Sequence, residues 1–314
     1  MEMDRSLVEL FQQTVSEIYN NYENNDVLIS KEGRHLPSRS TIINLIKELR
    51  RVMFPGYFGE ENLANYIGDY FAGSLLNRVY WTLKEQIILA LRYTEEEITI
   101  ERATERAEEI SRYFISRVPH IQEMLLKDVQ AGFDGDPAAK SKEDIIISYP
   151  GLFAIYVYRI AHELYEEDVP LIPRIMTEYV HSRTGIDINA GAKIGEYFFI
   201  DHGTGVVIGE TTIIGNHVKL YQGVTLGGLS TRQGQALSGV KRHPTIEDNV
   251  TIYSGSSILG GDTVIGHDSV IGGNAFITSS VAPQTKVIVR TPEMTFKDTN
   301  KKKDDDMSSW VWEI

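Results

Sequence analysis

A period of six residues runs through the second half of the chain. Ile188, Ile194 and Ile200 keep that spacing, as do Ile208, Ile214, Leu220 and Leu226, then Ile246, Ile252 and Ile258, then Ile265, Ile271 and Ile277. The fifth position of each hexad is small or β-branched: Ala192, Thr204, Thr212, Val218, Val224, Val250, Ser256, Ser269, Ala275 and Val281. Gly often follows the aliphatic residue, as at Gly195, Gly209, Gly215, Gly266 and Gly272. A helix repeats every ~3.6 residues and a lone strand every two, so neither carries a period of six. A parallel β-helix does, each hexad making one short strand and a turn. In that arrangement the aliphatic residue points inward, the small one fits the inner corner, and Gly takes a turn geometry that a side chain resists.

The repeat breaks in three places. Its phase jumps by two at Val206-Val207, is lost from about Gly227 to Ile246, and slips by one between Ile258 and Ile265. Insertions in a solenoid lie outside the coil, often at a binding face. Two breaks carry histidine: Asp201-His202-Gly203-Thr204 before the first, and Lys241-Arg242-His243-Pro244 closing the second.

Residues 1–184 read as an α-helical domain, 185–291 as the β-helix and 292–314 as a polar tail, so the fold class is α + β. Pro37-Ser38 precedes a helix holding Ile42, Ile43, Ile46 and Leu49, with Ser38 or Ser40 as cap. Separate amphipathic runs are expected from Glu61 to Thr82 and from Leu83 to Leu91. A helix from Glu95 to Val118 would start at a Thr94 capping box, and Pro119 would open another. Asp136 precedes Pro137 and is held extended. The tail carries Lys301-Lys302-Lys303 and Asp304-Asp305-Asp306, then ends Trp310-Val311-Trp312-Glu313-Ile314, which reads either as a docking peptide or as a tip folded back on its own subunit.

Composition excludes several functions. A net charge of -13 argues against nucleic acid and anionic membrane surfaces as partners. No stretch approaches the roughly 18 apolar residues of a membrane span. The N-terminus lacks the regions of a signal peptide, so the expected location is the cytoplasm. With no cysteine, disulfides, thiolate metal sites and a cysteine nucleophile are excluded.

Of the eight histidines, His202 and His243 stand out by their place at phase breaks. A histidine titrating near neutrality suits the general base for an alcohol, provided its other nitrogen is held by a carboxylate or carbonyl. Asp201, the immediate neighbour of His202, would face the other way on a strand. Asp187 lies on an adjoining coil if each coil spans eighteen residues, and is the better orienting partner on that geometry.

These residues stand in a recognisable order. Asp136-Pro137-Ala138, Tyr158-Arg159-Ile160-Ala161-His162, Gly185-Ile186-Asp187-Ile188, Gly191 to Gly195, Asp201 to Glu210, Gly223 to Gly228 and Arg242-His243-Pro244 together resemble the serine O-acetyltransferases of the hexapeptide-repeat acyltransferase superfamily. The resemblance implies a left-handed parallel β-helix. It also implies acetyl transfer from acetyl-CoA to the hydroxyl of L-serine, giving O-acetyl-L-serine for cysteine biosynthesis, with no metal. It assigns His202 as general base, Asp187 as its orienting carboxylate and His243 as the second active-site histidine. Arg242 would face the serine carboxylate, and Asp136 and Asp201 its ammonium. Backbone N–H groups of Gly227 and Gly228 would meet the oxyanion, and the CoA arm would pass Gly228, Ser254 and Gly273. A homotrimer or a dimer of trimers is implied, with sites between subunits, as is O-acetylserine sulfhydrylase as a partner for a tail ending in Ile314. Two departures stand out: Asn189-Ala190 where the family commonly has His-Pro, and a longer Leu229–Val240 loop, with Arg232 and Lys241 as candidates for contacts to CoA phosphates. Alternative readings are another acyltransferase on the same solenoid, a γ-carbonic-anhydrase-type metalloenzyme, or a scaffold whose tail recruits a partner.

Overall fold

The computed structural model describes residues 5–25, 28, 35–58, 69–230, 234–237 and 239–290. Among them the helices come first: α1 (Arg5–Asn24), α2 (Arg39–Met53), α3 (Asp69–Thr94), α4 (Ile100–Gly135), α5 (Lys142–Ser148), α6 (Pro150–Glu166) and α7 (Ile172–Thr184). Ser38 caps α2 by accepting the Thr41 N–H at 3.2 Å, and Ile42, Leu45, Ile46, Leu49 and Met53 bury its inner face.

Three helix boundaries differ from the sequence expectation. The runs on either side of Thr82-Leu83 form one helix, α3, because Leu75, Val79, Leu83, Ile87 and Ala90 keep a single buried stripe across the supposed break. Thr94 closes α3, donating its hydroxyl to Ala90 O at 3.0 Å. The next N-cap is Thr99, which accepts the Arg102 N–H at 3.2 Å. Pro119 lies inside α4 and starts no new helix. Phe114, Val118, Ile121, Leu125 and Val129 are buried along one face there, and their packing outweighs the ~3 kcal/mol that an interior proline costs.

The strands pair in parallel as three sheets. Sheet A holds β1 (Asp187–Ile188), β4 (Val207–Ile208), β7 (Thr225–Gly227), β10 (Ser257–Leu259) and β13 (Phe276–Ile277). Sheet B holds β2 (Lys193–Ile194), β5 (Ile213–Ile214), β8 (Thr245–Ile246) and β11 (Val264–Ile265). Sheet C holds β3 (Phe199–Ile200), β6 (Lys219–Leu220), β9 (Thr251–Ile252), β12 (Val270–Ile271) and β14 (Lys286–Val287). From β1 to β13 successive strands visit A, B and C in turn, and before β14 the sheet-B place is held by Val281 alone, bridged to Ile265, so the chain winds a three-sided parallel β-helix. The aliphatic ladder from Ile188 to Ile277 is buried as expected.

The corners refine the expectation. The buried corner residue after the first break is Val206, whereas Thr204 is exposed. Two extra residues widen that corner, so Asp187 pairs with Val207 and not with position 205, as an eighteen-residue coil would require. The next coil does close in eighteen, pairing Val207 with Thr225. The long insertion leaves the coil after Gly227 and returns at Thr245, which pairs with Ile213. The glycines that follow the aliphatic residues are not the ones with positive φ. Tyr197, His217, Asn249 and Asp268 hold the left-handed position at the corner between sheets B and C. Gly215 is instead small because the coil above comes close: a Cβ there would lie 2.2 Å from Asp248 Oδ1.

Helix α6 covers the open end of the coil. Tyr158 donates its hydroxyl to Ala192 O at 2.6 Å, His162 Nδ1 lies 2.7 Å from Ala190 O, and Arg159 donates to Gly195 O at 2.9 Å. Arg159 also makes a bidentate pair with the fully buried Asp128 of α4, at 2.6 and 2.8 Å. Asp128 in turn accepts the Phe198 N–H at 3.0 Å. The Tyr158 bond thus satisfies Ala192 O, whose counterpart one coil on, Thr212 O, bonds to the neighbouring coil through Lys193 N–H.

Candidate active site

The expected site residues fall into two groups on opposite edges of sheet A. One edge is the corner from sheet C into sheet A. There the C-terminal end of α4 meets the widened first corner of the coil. Asp136 caps α4 and accepts the Tyr149 hydroxyl at 2.5 Å and the Ala138 N–H at 2.8 Å. Those two bonds hold its carboxyl below the usual range, the tyrosine contributing more, while Tyr149 is pushed up to about 12 by the same contact. Asp201 is buried, with Oδ2 3.4 Å from Lys219 Nζ. Lys219 donates to Gly135 O at 2.6 Å and lies over the rings of Tyr221 and Phe199. Lys219 and His202 both lie within electrostatic range of Asp136.

His202 sits in a turn with φ of 58°. Because it is not on a strand, the alternation argument that turned Asp201 away does not apply, and Asp201 Oδ1 lies 3.7 Å from His202 Nδ1. The imidazole is 70% exposed, open for a substrate to approach. Asp187 opens β1 at this same edge, its N–H donating to Val206 O at 2.9 Å. Among the described residues no hydrogen bond joins its carboxylate to His202. Ser254 and Gly273 also lie on this edge and stack one above the other: a Cβ at Gly273 would stand 3.1 Å from Ser254 O.

The other edge is the corner from sheet A into sheet B, where the insertion returns to the coil. Arg242 pairs with Glu210 through a short contact, and Glu210 accepts the Tyr165 hydroxyl at 2.9 Å. Burial pushes the Glu210 carboxyl up, but the bonds from Arg242 and Tyr165 outweigh it and leave it below its ordinary value. His243 Nδ1 receives the Thr211 N–H at 3.1 Å and lies 2.9 Å from the Thr211 hydroxyl. Burial, then Arg242 and Lys241, lower its pKa to about 4, so it is neutral at pH 7. With Nδ1 an acceptor, the ring proton sits on Nε2. Gly209 is required by this ring, since a Cβ there would lie 2.1 Å from His243 Cδ2. Gly227 ends β7 in register with Leu259, and Gly228 leads into the insertion. Lys241 is exposed and donates to Thr211 O at 2.7 Å and Pro244 O at 3.2 Å. Arg232 lies outside the described residues.

The sequence did not single out Tyr149, Lys219, Glu210 or Thr211 as site residues. Lys219 carried a usable signal, being the outward-facing neighbour of Leu220 one coil above Phe199. Thr211 and Tyr149 carried none, because their roles depend on which loop returns beside them.

No protein-family model matches the sequence. A serine acetyltransferase of Synechococcus elongatus is 45% identical over 237 residues, covering 73% of this chain and 74% of the relative. The chain belongs to the serine acetyltransferase family. Another serine acetyltransferase, from Bacillus licheniformis, is 52% identical over 133 residues, 42% of this chain and 59% of the relative. Among solved structures, Entamoeba histolytica serine acetyltransferase isoform 3 in complex with cysteine superposes with a TM-score of 0.70 at 32% identity, covering 93% of this chain and 96% of that one. The Neisseria gonorrhoeae serine acetyltransferase in complex with serine gives 0.52 at 26% identity, covering 78% and 95%. The coil described above is the left-handed parallel β-helix of the serine acetyltransferase family.

Proposed function

We propose that this enzyme transfers the acetyl group of acetyl-CoA to the hydroxyl of L-serine, giving O-acetyl-L-serine and CoA for cysteine biosynthesis. The supporting observation is the gathering of Asp136, Asp201 and His202 at one edge of the coil, with Lys219 among them. Asp136 and Asp201 offer carboxylates to the ammonium, with Lys219 offsetting part of their charge. His202 takes the serine hydroxyl proton as the oxygen attacks the thioester carbonyl, and Asp187 orients the ring. Backbone N–H groups at Gly227 and Gly228 stabilise the oxyanion. The tetrahedral intermediate collapses, the C–S bond breaks, and the CoA thiolate recovers the proton from His202. Arg242 holds the serine carboxylate, a role suited to its planar fork, and the neutral His243 offers its Nε2–H to a substrate oxygen. The CoA arm follows the stacked Ser254 and Gly273 and reaches Gly228 of a neighbouring subunit.

The acidic and basic groups lie on opposite edges of one sheet, so a complete site takes one edge from each of two subunits. A homotrimer meets that requirement, and two trimers joined through their helical regions would meet it equally. The outer face of sheet A supports such packing, carrying Phe276 at 73% and Val207 at 37% exposure. The division at 184/185 into helical and β-helix domains follows the same logic, and cytoplasmic location fits the soluble substrates. The tail from 292 to Ile314, with its proposed sulfhydrylase partner, lies outside the described residues.

The test is CoA release from acetyl-CoA with L-serine against sugar and amine acceptors. Serine-dependent release is expected, falling by about 10²–10⁴ in His202→Ala. Release only with another acceptor would discard serine. Mixing His202→Ala subunits with His243→Ala subunits tests the shared site: activity should return in the hybrids, and its absence would place the whole site within one chain.

A further inference from the structure

Thr211 occupies a position that the reaction described above leaves unused. Its side-chain oxygen lies 2.9 Å from Arg242 N and 3.1 Å from His243 N, and both N–H groups donate to it. The same oxygen lies 2.9 Å from His243 Nδ1, while the Thr211 backbone N–H reaches that nitrogen at 3.1 Å. A hydroxyl has one proton and two lone pairs. With both lone pairs taken by backbone N–H groups, its proton goes to Nδ1, and every bonding position of the oxygen is filled. The Thr211 carbonyl is bound in turn by Lys241, whose ammonium also reaches the carbonyls of His243 and Pro244. One residue of the regular coil therefore holds three of the last four residues of the insertion, Lys241, Arg242 and His243, by both its side chain and its main chain.

We propose that Thr211 is a positioning residue for the reaction: it fixes His243 as the Nε2–H tautomer and sets the Arg242-His243 backbone against the coil, so that a ring donor and a guanidinium are presented together to the substrate. This inference rests on the proposed acetyl transfer for its kinetic consequence only; the state of the ring is a property of the protein alone. Two protons aimed at Nδ1 leave no room for a third, so the ring is held neutral from that side. Burial and the neighbouring cations Arg242 and Lys241 act in the same direction, and Glu210 opposes them. A His243 that always carries its proton on Nε2 is a donor at that atom, which separates its role from that of the open His202.

The test compares Thr211→Ser, Thr211→Val and Thr211→Ala in the full chain. Serine keeps the hydroxyl, valine keeps the shape without it, and alanine removes both without crowding. The first readout is the ¹⁵N spectrum of histidine-labelled protein across pH, with the His243 signals assigned by their loss in His243→Gln. Wild type and Thr211→Ser should show a pyridine-type Nδ1 down to about pH 4. In Thr211→Val and Thr211→Ala the protonation midpoint should move up towards the ordinary histidine value. The second readout is kinetic: KM for L-serine rising about tenfold in both hydroxyl-free variants and restored in Thr211→Ser, with the acid limb of the pH profile moving alongside the ¹⁵N midpoint. An unchanged His243 midpoint in folded Thr211→Val or Thr211→Ala overturns the proposal, as does equal kinetic damage in Thr211→Ser. If the wild type turned over no serine, the proposed reaction would fail, while the ¹⁵N titration would still decide the role of Thr211.

Discussion

The two edges of sheet A are built on opposite principles. The edge with His202 is acidic and assembled from distant parts: Asp136 and Tyr149 come from the helices, Asp201 and Lys219 from two coils. The edge with His243 is rich in cations and is assembled mostly from the coil and the loop that returns to it. One histidine is exposed and sits in a left-handed turn; the other is partly buried and bonded at Nδ1. A proton acceptor needs access and an unoccupied lone pair, whereas a fixed donor needs neither. The contrast in environment supports the division of roles proposed for the two histidines.

The comparison can be broken most severely at the open histidine. His202→Ala should lower serine-dependent turnover by about 10²–10⁴, and His243→Gln, which retains a donor, by far less; equal losses in steady-state assays would erase the distinction. Next in size is the support beneath the acidic edge. Asp128→Ala strands the buried Arg159 guanidinium and should cost about 3–5 kcal/mol in denaturant unfolding. Since α4 carries Asp136, KM for serine should suffer in that variant before the environment of His243 does.

The pH dependence of stability should sharpen the contrast. His243 is lowered from 6.5 to about 4 in the folded chain. The unfolded chain therefore binds more protons between those values, and the contribution of this group is complete above 6.5 and lost as pH falls towards 4. Thermal melts of wild type should lose stability across that window, and His243→Gln should flatten the slope. The smallest effect is expected at Tyr149→Phe. Loss of its bond lets the Asp136 carboxyl rise towards its ordinary value, and KM for serine should increase by roughly threefold to tenfold, consistent with about 1 kcal/mol for a partly buried hydrogen bond. An unchanged KM would remove Asp136 from the ammonium pocket.

Much of this was legible in the residues. The six-residue ladder specified the coil because each inward Ile or Leu repeats once per face, and its three breaks marked the widened corner, the insertion and the short slip. What the ladder could not carry was the content of a corner. Val206 in place of Thr204, and Asp201 beside His202, follow from two extra residues whose path no periodicity describes. The helices were less legible where packing overrides local signals, as at Pro119, held inside α4 by Val118 and Ile121. Thr211 and Tyr149 were silent because a hydroxyl acquires its role only from the partners that folding brings to it.

The covering of one end of the coil by α6 also gives the solenoid a direction. A parallel coil adds strands by nearest-neighbour pairing; the first turn pairs with the second on one side, and on its other side Tyr158, Arg159 and His162 supply bonds to it. The helical layer therefore anchors one end of the coil, and coils farther from it depend on the coils between. Amide exchange should accordingly be slowest in β1 to β6 and quicken towards β13 and β14, so that thermal fraying reaches the Gly273 end of the proposed CoA path before it reaches His202.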